Sequence, residues 1–351
     1  MKTIADPEKC YVGNKVDRKT FLTCYDKNLL IELINGYNHV YSDDPIEYNN
    51  GTMDTKELWD LIEAKMYSKY KCQSEWCWID QDFIQSLHYD VQKLLKKKVF
   101  KPIMPKSKYA WLSSIDILDI MRGYEDLYPD FKFYGPYPRD FQKFLNIYTE
   151  MKDFDLATQF LNQYKRIGFI FNLDYQRGPG THWTALFINL KDKPYTIEYF
   201  DSVGNIEPGD VENGGGKKRI DRDSKVPTEF KKFILENVCT MDVNGAAISV
   251  IESKRLGGIN IPVPQKTNCP LKVENFIDIV RGTAAFNFNS VLKPKYSTIR
   301  HQKKDTECGV YAVNFIVERL NGKSFEDIVN NIISDDEMNK KRETTFFRPR
   351  S

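Results

Sequence analysis

Long apolar runs are missing from this chain. No stretch approaches the ~20 apolar residues that a membrane-crossing helix requires, so no spanning segment is expected. The first residues, Met1-Lys2-Thr3-Ile4-Ala5-Asp6-Pro7, lack the apolar block of a secretory signal. An excess of one charge sign is missing too: the net charge of +2 makes no general case for nucleic-acid binding. Histidine is scarce, with four residues in 351, so any chemistry that needs imidazole has few candidates. Cysteine shows no pairing pattern, its seven residues falling irregularly at 10, 24, 72, 77, 239, 269 and 308. The odd count and uneven spacing argue against a disulfide framework and for a reducing compartment. Cys72 and Cys77, with His88 beyond, have loose zinc-like spacing, but no second Cys or His pair completes four ligands. Neither a metal nor an organic cofactor is expected.

What is present is the composition of a globular protein. At 41% hydrophobic and 28% charged over 351 residues, the chain is long enough for one large domain and a smaller one. The most informative stretch is Arg300-His301-Gln302-Lys303-Lys304-Asp305-Thr306-Glu307-Cys308-Gly309. It places a cysteine before glycine at what reads as a helix start, with an amide side chain six residues upstream. A thiol is a good nucleophile only as thiolate, and a helix N-terminus puts partial positive charge near the sulfur. Gln302 is a candidate side-chain donor to an oxyanion, beside the backbone N–H of Cys308. His182 heads one apolar run and Asp201 ends another, Tyr195–Phe200. Cys, His and Asp are the parts of an activated thiol: nucleophile, general base and the carboxylate that orients the base. His301 is a second candidate base because it adjoins Gln302, and Asp305 is a reserve orienting group.

This order of parts resembles the SUMO/ubiquitin-like-protein-specific cysteine protease clan, which also holds the adenovirus protease. Within the clan the likeness is strongest to the polyprotein-processing proteases of large nucleo-cytoplasmic DNA viruses, the African swine fever virus type. The segments that carry it are Gly180–Phe187, Ile197–Asn205, Ile299–Gln302 through Thr306–Gly309, and Asp335–Met338, together with Trp111–Ser114. The swine-fever type has Asn where this chain has Asp201, the residue usual in the wider clan.

The resemblance implies an α+β core, SUMO-protease/adenovirus-protease-like, with the nucleophile at the N-terminus of a buried helix on a central sheet. It implies a viral cysteine endopeptidase that cleaves structural polyproteins at Gly-Gly-X sites during virion maturation. The site residues it implies are Cys308, His182, Asp201 and Gln302, with Trp183 and Trp111 flanking a channel that admits only glycine before the scissile bond. The implied partners are Gly-Gly-containing polyproteins and, in the alternative reading, ubiquitin-like modifiers. The implied setting is the viral factory of the host cytoplasm and the virion. A deconjugating isopeptidase and a non-catalytic binding module are the alternative functions. The clan's Trp-Leu-Asn-Asp-type motif is altered here, with Ser114 in place of the carboxylate, and this favours polyprotein processing over modifier contact.

Along the chain, residues 1–108 read as a helical N-terminal arm and 109–351 as the protease core, with an extended insertion at about 206–297. Helical spacing runs from Phe21 to Ile34 and stops at Asn35-Gly36; further helices are read over Thr55–Ala64, capped by threonine, and Asp82–Leu95. Lys96–Lys108, with Pro102 and Pro105, reads as a linker, and Lys96-Lys97-Lys98 as a solvated helix end. In the core, Ser113-Ser114 caps a helix, and strands are read over Ile167–Leu173, Trp183–Leu190 and Tyr195–Phe200. A turn at Lys191–Pro194 would make the last two a hairpin, bringing His182 and Asp201 to one edge of the sheet. Phe230–Val238 is helical in pattern, and Val313, Ile316, Val317 and Leu320 mark the buried face of the nucleophile helix. Gly257-Gly258-Ile259 is a conceivable self-cleavage sequence, and the Gly214–Gly216 run lacks the surroundings of a phosphate loop.

Overall fold

The structure, a computed structural model, describes residues 9–13, 23–152 except 106 and 108, 154–204 except 157, 158, 160 and 161, 226–239, 250–264 except 257 and 258, and 292–346. Gly257-Gly258, Gly214–Gly216 and Cys269 lie outside them. The chain divides into two compact units: one of Met1–Lys108, Asp119–Leu127 and Lys340–Ser351, the other of Tyr109–Leu118 and Tyr128–Asn339.

The first unit is helical. Helix α1 spans Lys27–Val40, capped by Asp26, and α2 spans Thr55–Tyr70, capped by an Asp54/Glu57 capping box. The cap of α2 is therefore the aspartate rather than a threonine. α1 also runs through Asn35-Gly36, because Gly36 faces the Leu87 side chain at a place where a Cβ would lie 2.5 Å from it. The same contact divides the region read as one helix over 82–95. A 3-10 turn at Asp82–Ser86 ends at an extended Leu87, and α4 begins afresh at Tyr89–Lys98 after the short helix α3, Glu75–Trp78. Within this unit Lys97 and Lys98 at the end of α4 pair with Asp119 and Asp126. The unit's core gathers Leu30, Ile34, Tyr37, Leu58, Ile62, Trp78, Phe83 and Leu95. At its centre the buried Glu75 carboxylate accepts from the Thr23 hydroxyl and from Trp59 Nε1 at 2.7 Å.

Two disulfides lie in this unit, Cys10–Cys24 and Cys72–Cys77, with Cα atoms 5.0 and 5.5 Å apart. This corrects the expectation drawn from the cysteine count, and the case for a reducing compartment loses that support. Pairing follows from where the fold brings Cβ atoms together, which uneven sequence spacing does not report. Cys10 is placed by a bridge to Phe100; Cys72 and Cys77 close the turn after α2, where Lys71 adopts φ 58°.

The second unit is a three-layer α+β core. Its five-stranded sheet has the order β1-β2-β3-β4-β7, with β1 at Phe131–Pro138, β2 at Arg166–Asn172, β3 at Trp183–Asn189, β4 at Tyr195–Phe200 and β7 at Leu292–Tyr296. β2, β3 and β4 are antiparallel neighbours, while β1 and β7 join as parallel edge strands. A separate hairpin, β5 (Val250–Leu256) with β6 (Ile259–Pro264), lies in the insertion interval. Every residue of β2 is buried, as expected of a strand covered on both faces. On one face Phe169, Phe171, Leu186, Ile188 and Ile197 pack with Phe230, Phe233 and Ile234 of α6, Thr228–Cys239. On the other lies α7, Cys308–Leu320, with Phe315 stacked on Phe200. α5 begins at Ser114 behind a Ser113 cap and runs to Leu127, its part from Asp119 counted with the first unit; α8 (Phe325–Asn330) belongs to the second, and α9 (Asp335–Thr345) is counted with the first from Lys340 on.

Candidate active site

The hairpin β3–β4 sets the site. Ala185 faces Phe200 across the ladder, so the residue before β3, His182, and the residue after β4, Asp201, emerge at one edge of the sheet. His182 is held there by its backbone oxygen, which accepts from Leu173 N at 2.9 Å, and the preceding loop is tied by Asn172 Oδ1 to Thr181 N. Its ring nitrogen Nε2 meets Asp201 Oδ1 at 2.7 Å. Asp201 is wholly buried; Oδ1 also accepts from Val203 N at 3.0 Å, and its backbone N–H donates to Ser297 Oγ at 2.9 Å.

Cys308 is the first residue of α7, is 2% exposed and carries a free thiol. Its thiol lies near enough to the His182 imidazole to raise that ring's affinity for a proton. Burial alone would lower the affinity of this imidazole for a proton. Hydrogen bonds to Asp201 and Cys308, and the charges of both, outweigh it and raise the pKa to about 10. A base so placed takes a proton from the thiol and keeps its ring orientation while doing so.

Gln302 is 2% exposed and its amide is engaged at both ends: Oε1 accepts from Ser202 Oγ at 2.7 Å and Nε2 donates to Lys304 O at 2.6 Å. One N–H of Nε2 is left over. Trp183 is 8% exposed and its indole N–H donates to Leu112 O at 2.9 Å. Trp111, the neighbour of Leu112, is 48% exposed. Gly309 is pressed between these parts: a Cβ there would lie 3.0 Å from Leu112 Cβ and 3.2 Å from Trp183 Cδ1. The glycine after the nucleophile is thus demanded by the close approach of the Leu112–Trp183 pair.

The structure therefore brings Cys308, His182 and Asp201 together and sets Leu112, next to Trp111, against Trp183. It does not bring His301 or Asp305 to this imidazole's carboxylate side. His301 is a core residue, Nε2 bonded to Val329 O at 2.9 Å and the ring edge-on to Phe200, with burial lowering its pKa. Asp305 is exposed. Sequence reasoning missed Ser202, Ser297, Leu112, Asp335 and Asn339. Asp335 accepts from the backbone N–H groups of Lys303 and Lys304, and Asn339 donates to buried Glu307, beside the nucleophile. Ser202, Leu112 and Asp335 lie within segments that carry the resemblance, but nothing local assigned them these contacts.

No protein-family profile matches the chain. It is 26% identical over 341 residues to the putative thiol protease R355 of Acanthamoeba polyphaga mimivirus, covering 92% of this chain and 89% of that one. It is 25% identical over 310 residues to a cysteine protease of African swine fever virus, covering 84% and 88%; another isolate's version bears the name SUMO-1 cysteine protease. The crystal structure of the African swine fever virus protease superposes with a TM-score of 0.51 at 18% identity, covering 99% of this chain and 98% of that one, and shares its fold. Along most of its length the chain is thus similar to thiol proteases of mimivirus and African swine fever virus, and it shares the fold of the latter enzyme.

Proposed function

We propose that this cysteine protease is an endopeptidase of viral structural polyproteins, cutting after Gly-Gly by a Cys308–His182–Asp201 triad with Gln302 in the oxyanion site. The observation that carries the reading is the His182 imidazole, bonded to a wholly buried carboxylate and under the influence of a thiol at a helix start. His182 takes the thiol proton, and the Cys308 sulfur attacks the carbonyl carbon, forming the C–S bond while the carbonyl electrons move onto oxygen. The Cys308 N–H and a Gln302 N–H stabilise that oxygen. Collapse breaks the C–N bond, His182 protonates the departing amine, and water hydrolyses the thioester and returns the thiol. Asp201 holds the imidazole in place throughout.

The preference for glycine is supported by the crowding beside the nucleophile, where Trp183 is fixed by Leu112 and a Cβ at position 309 would meet both at 3.0–3.2 Å. A channel walled in this way excludes side chains by steric conflict. The place of action we propose is the host cytoplasm and the maturing virion, where such precursors are found.

Incubation with Gly-Gly-X peptides and a SUMO fusion, followed by mass spectrometry of the products, tests the reading. Peptide cleavage after Gly-Gly by the unmutated protein, and none by Cys308→Ala, is expected. Cleavage of the fusion alone would replace polyprotein processing by deconjugation of a ubiquitin-like modifier. Full activity of Cys308→Ala would remove the triad.

A further inference from the structure

We infer that Ser202 is a positioning residue for the oxyanion site, holding the Gln302 amide in the place from which its free N–H faces the reacting carbonyl. The inference rests on the thiol-protease reading above and adds a residue to it. The two ends of a side-chain amide are alike in shape and opposite in hydrogen-bonding character, so their neighbours decide the orientation. One end of Gln302 faces the backbone oxygen of Lys304 at 2.6 Å. A carbonyl only accepts, so this end is the nitrogen. The other end is then Oε1, and the Ser202 hydroxyl 2.7 Å away must donate to it. With Oε1 satisfied and one N–H spent on Lys304, the second N–H of Nε2 is the donor that remains for an oxyanion.

Ser202 is built for this task. It is wholly buried, and its backbone oxygen accepts from the N–H groups of both His301 and Gln302 at 2.8 Å. It therefore grips the glutamine by main chain and side chain together. The Lys304 oxygen is itself anchored, because Lys303 N and Lys304 N donate to Asp335 Oδ2 at 3.0 and 3.1 Å. Ser202 also follows Asp201 directly, so the end of β4 orients the base through one residue and the oxyanion donor through the next. Removing the hydroxyl leaves a buried acceptor without its donor and the amide held by Lys304 alone, so its remaining N–H loosens from the position that meets developing negative charge.

The test measures kcat and KM on a Gly-Gly peptide for the unmutated protein, Ser202→Ala, Gln302→Ala and the double variant, with the rate of iodoacetamide alkylation of Cys308 alongside. Ser202→Ala is expected to lose about tenfold to a hundredfold in kcat with KM changed by no more than about twofold, because the oxyanion exists only along the reaction path. The double variant should match Gln302→Ala, since both changes act on one donor. Alkylation should proceed at the unmutated rate, as displacement of iodide forms no oxyanion. Further loss in the double variant, a change confined to KM, or an unchanged kcat would each overturn the inference. Should the alanine variant not fold, Ser202→Cys, close in shape and a weaker donor, carries the same comparison with a smaller loss. If turnover survives complete alkylation of Cys308, the thiol-protease reading fails instead, whatever Ser202 does.

Discussion

The imidazole of His182 concentrates the chemistry of the site into one ionisation. Burial pushes its pKa down from 6.5, and the hydrogen bonds and charges of Asp201 and Cys308 push it up to about 10. The folded state thus holds the proton more tightly than the unfolded chain. The stability this supplies is complete below about pH 6.5 and is lost as pH rises toward about 10. Asp201→Asn removes one of the two partners, so the urea midpoints of the two proteins should differ most below pH 6.5 and converge toward pH 10. The same variant should lose about a hundredfold to ten-thousandfold in kcat, because an orienting amide favours the wrong tautomer. A midpoint difference independent of pH would show that the carboxylate does not act through the imidazole.

Among elements, α7 does most to join the sheet to the site, and it is anchored at the end away from the thiol. Arg319, near its last turn, reaches Glu198 of β4 at 2.6 Å, with side chains 9% and 1% exposed, and stacks over Phe187. Burial raises the Glu198 pKa, and the Arg319 charge opposes that rise. Arg319→Ala leaves a carboxylate buried without its cation and should cost about 3–5 kcal/mol in urea unfolding. Replacing the pair together, Glu198→Leu with Arg319→Met, should recover most of that loss. A cost below about 1 kcal/mol for the single variant would place the pair in water. Arg319 stands in the last turn of α7, before the cap at Asn321; its partner on a neighbouring strand was not legible in the sequence, since no local pattern marks a cross-element ion pair.

On the scale of the whole molecule, the disulfides of the helical unit are the largest departure from what composition suggests. Their closure spans 14 residues for Cys10–Cys24 and 5 for Cys72–Cys77. Loop entropy then gives about 3 and about 2 kcal/mol of stabilisation. Urea unfolding with and without dithiothreitol should differ accordingly, and Cys10→Ser should remove the larger share. Identical curves would mean that the bridges do not form in solution.

The sequence by itself determined the hairpin of β3 and β4, the start and stop of α7, and the residues that converge at the sheet edge. These are local properties: alternation or helical spacing of apolar side chains, a turn, and polar residues at element ends. Edge strands β1 and β7 were not legible, because their parallel partners are supplied by distant chain and both contain proline. The break at Leu87 and the passage of α1 through Gly36 were hidden for the same reason, since each depends on the other across the first unit. Only the tertiary structure decided which cysteines meet, that Ser202 and Asp335 hold the Gln302 segment, and that Leu112 closes on Gly309. Apart from the disulfides, which close spans of 14 and 5 residues, each is a contact between residues far apart in the chain, fixed by packing and hydrogen-bond satisfaction rather than by any local period.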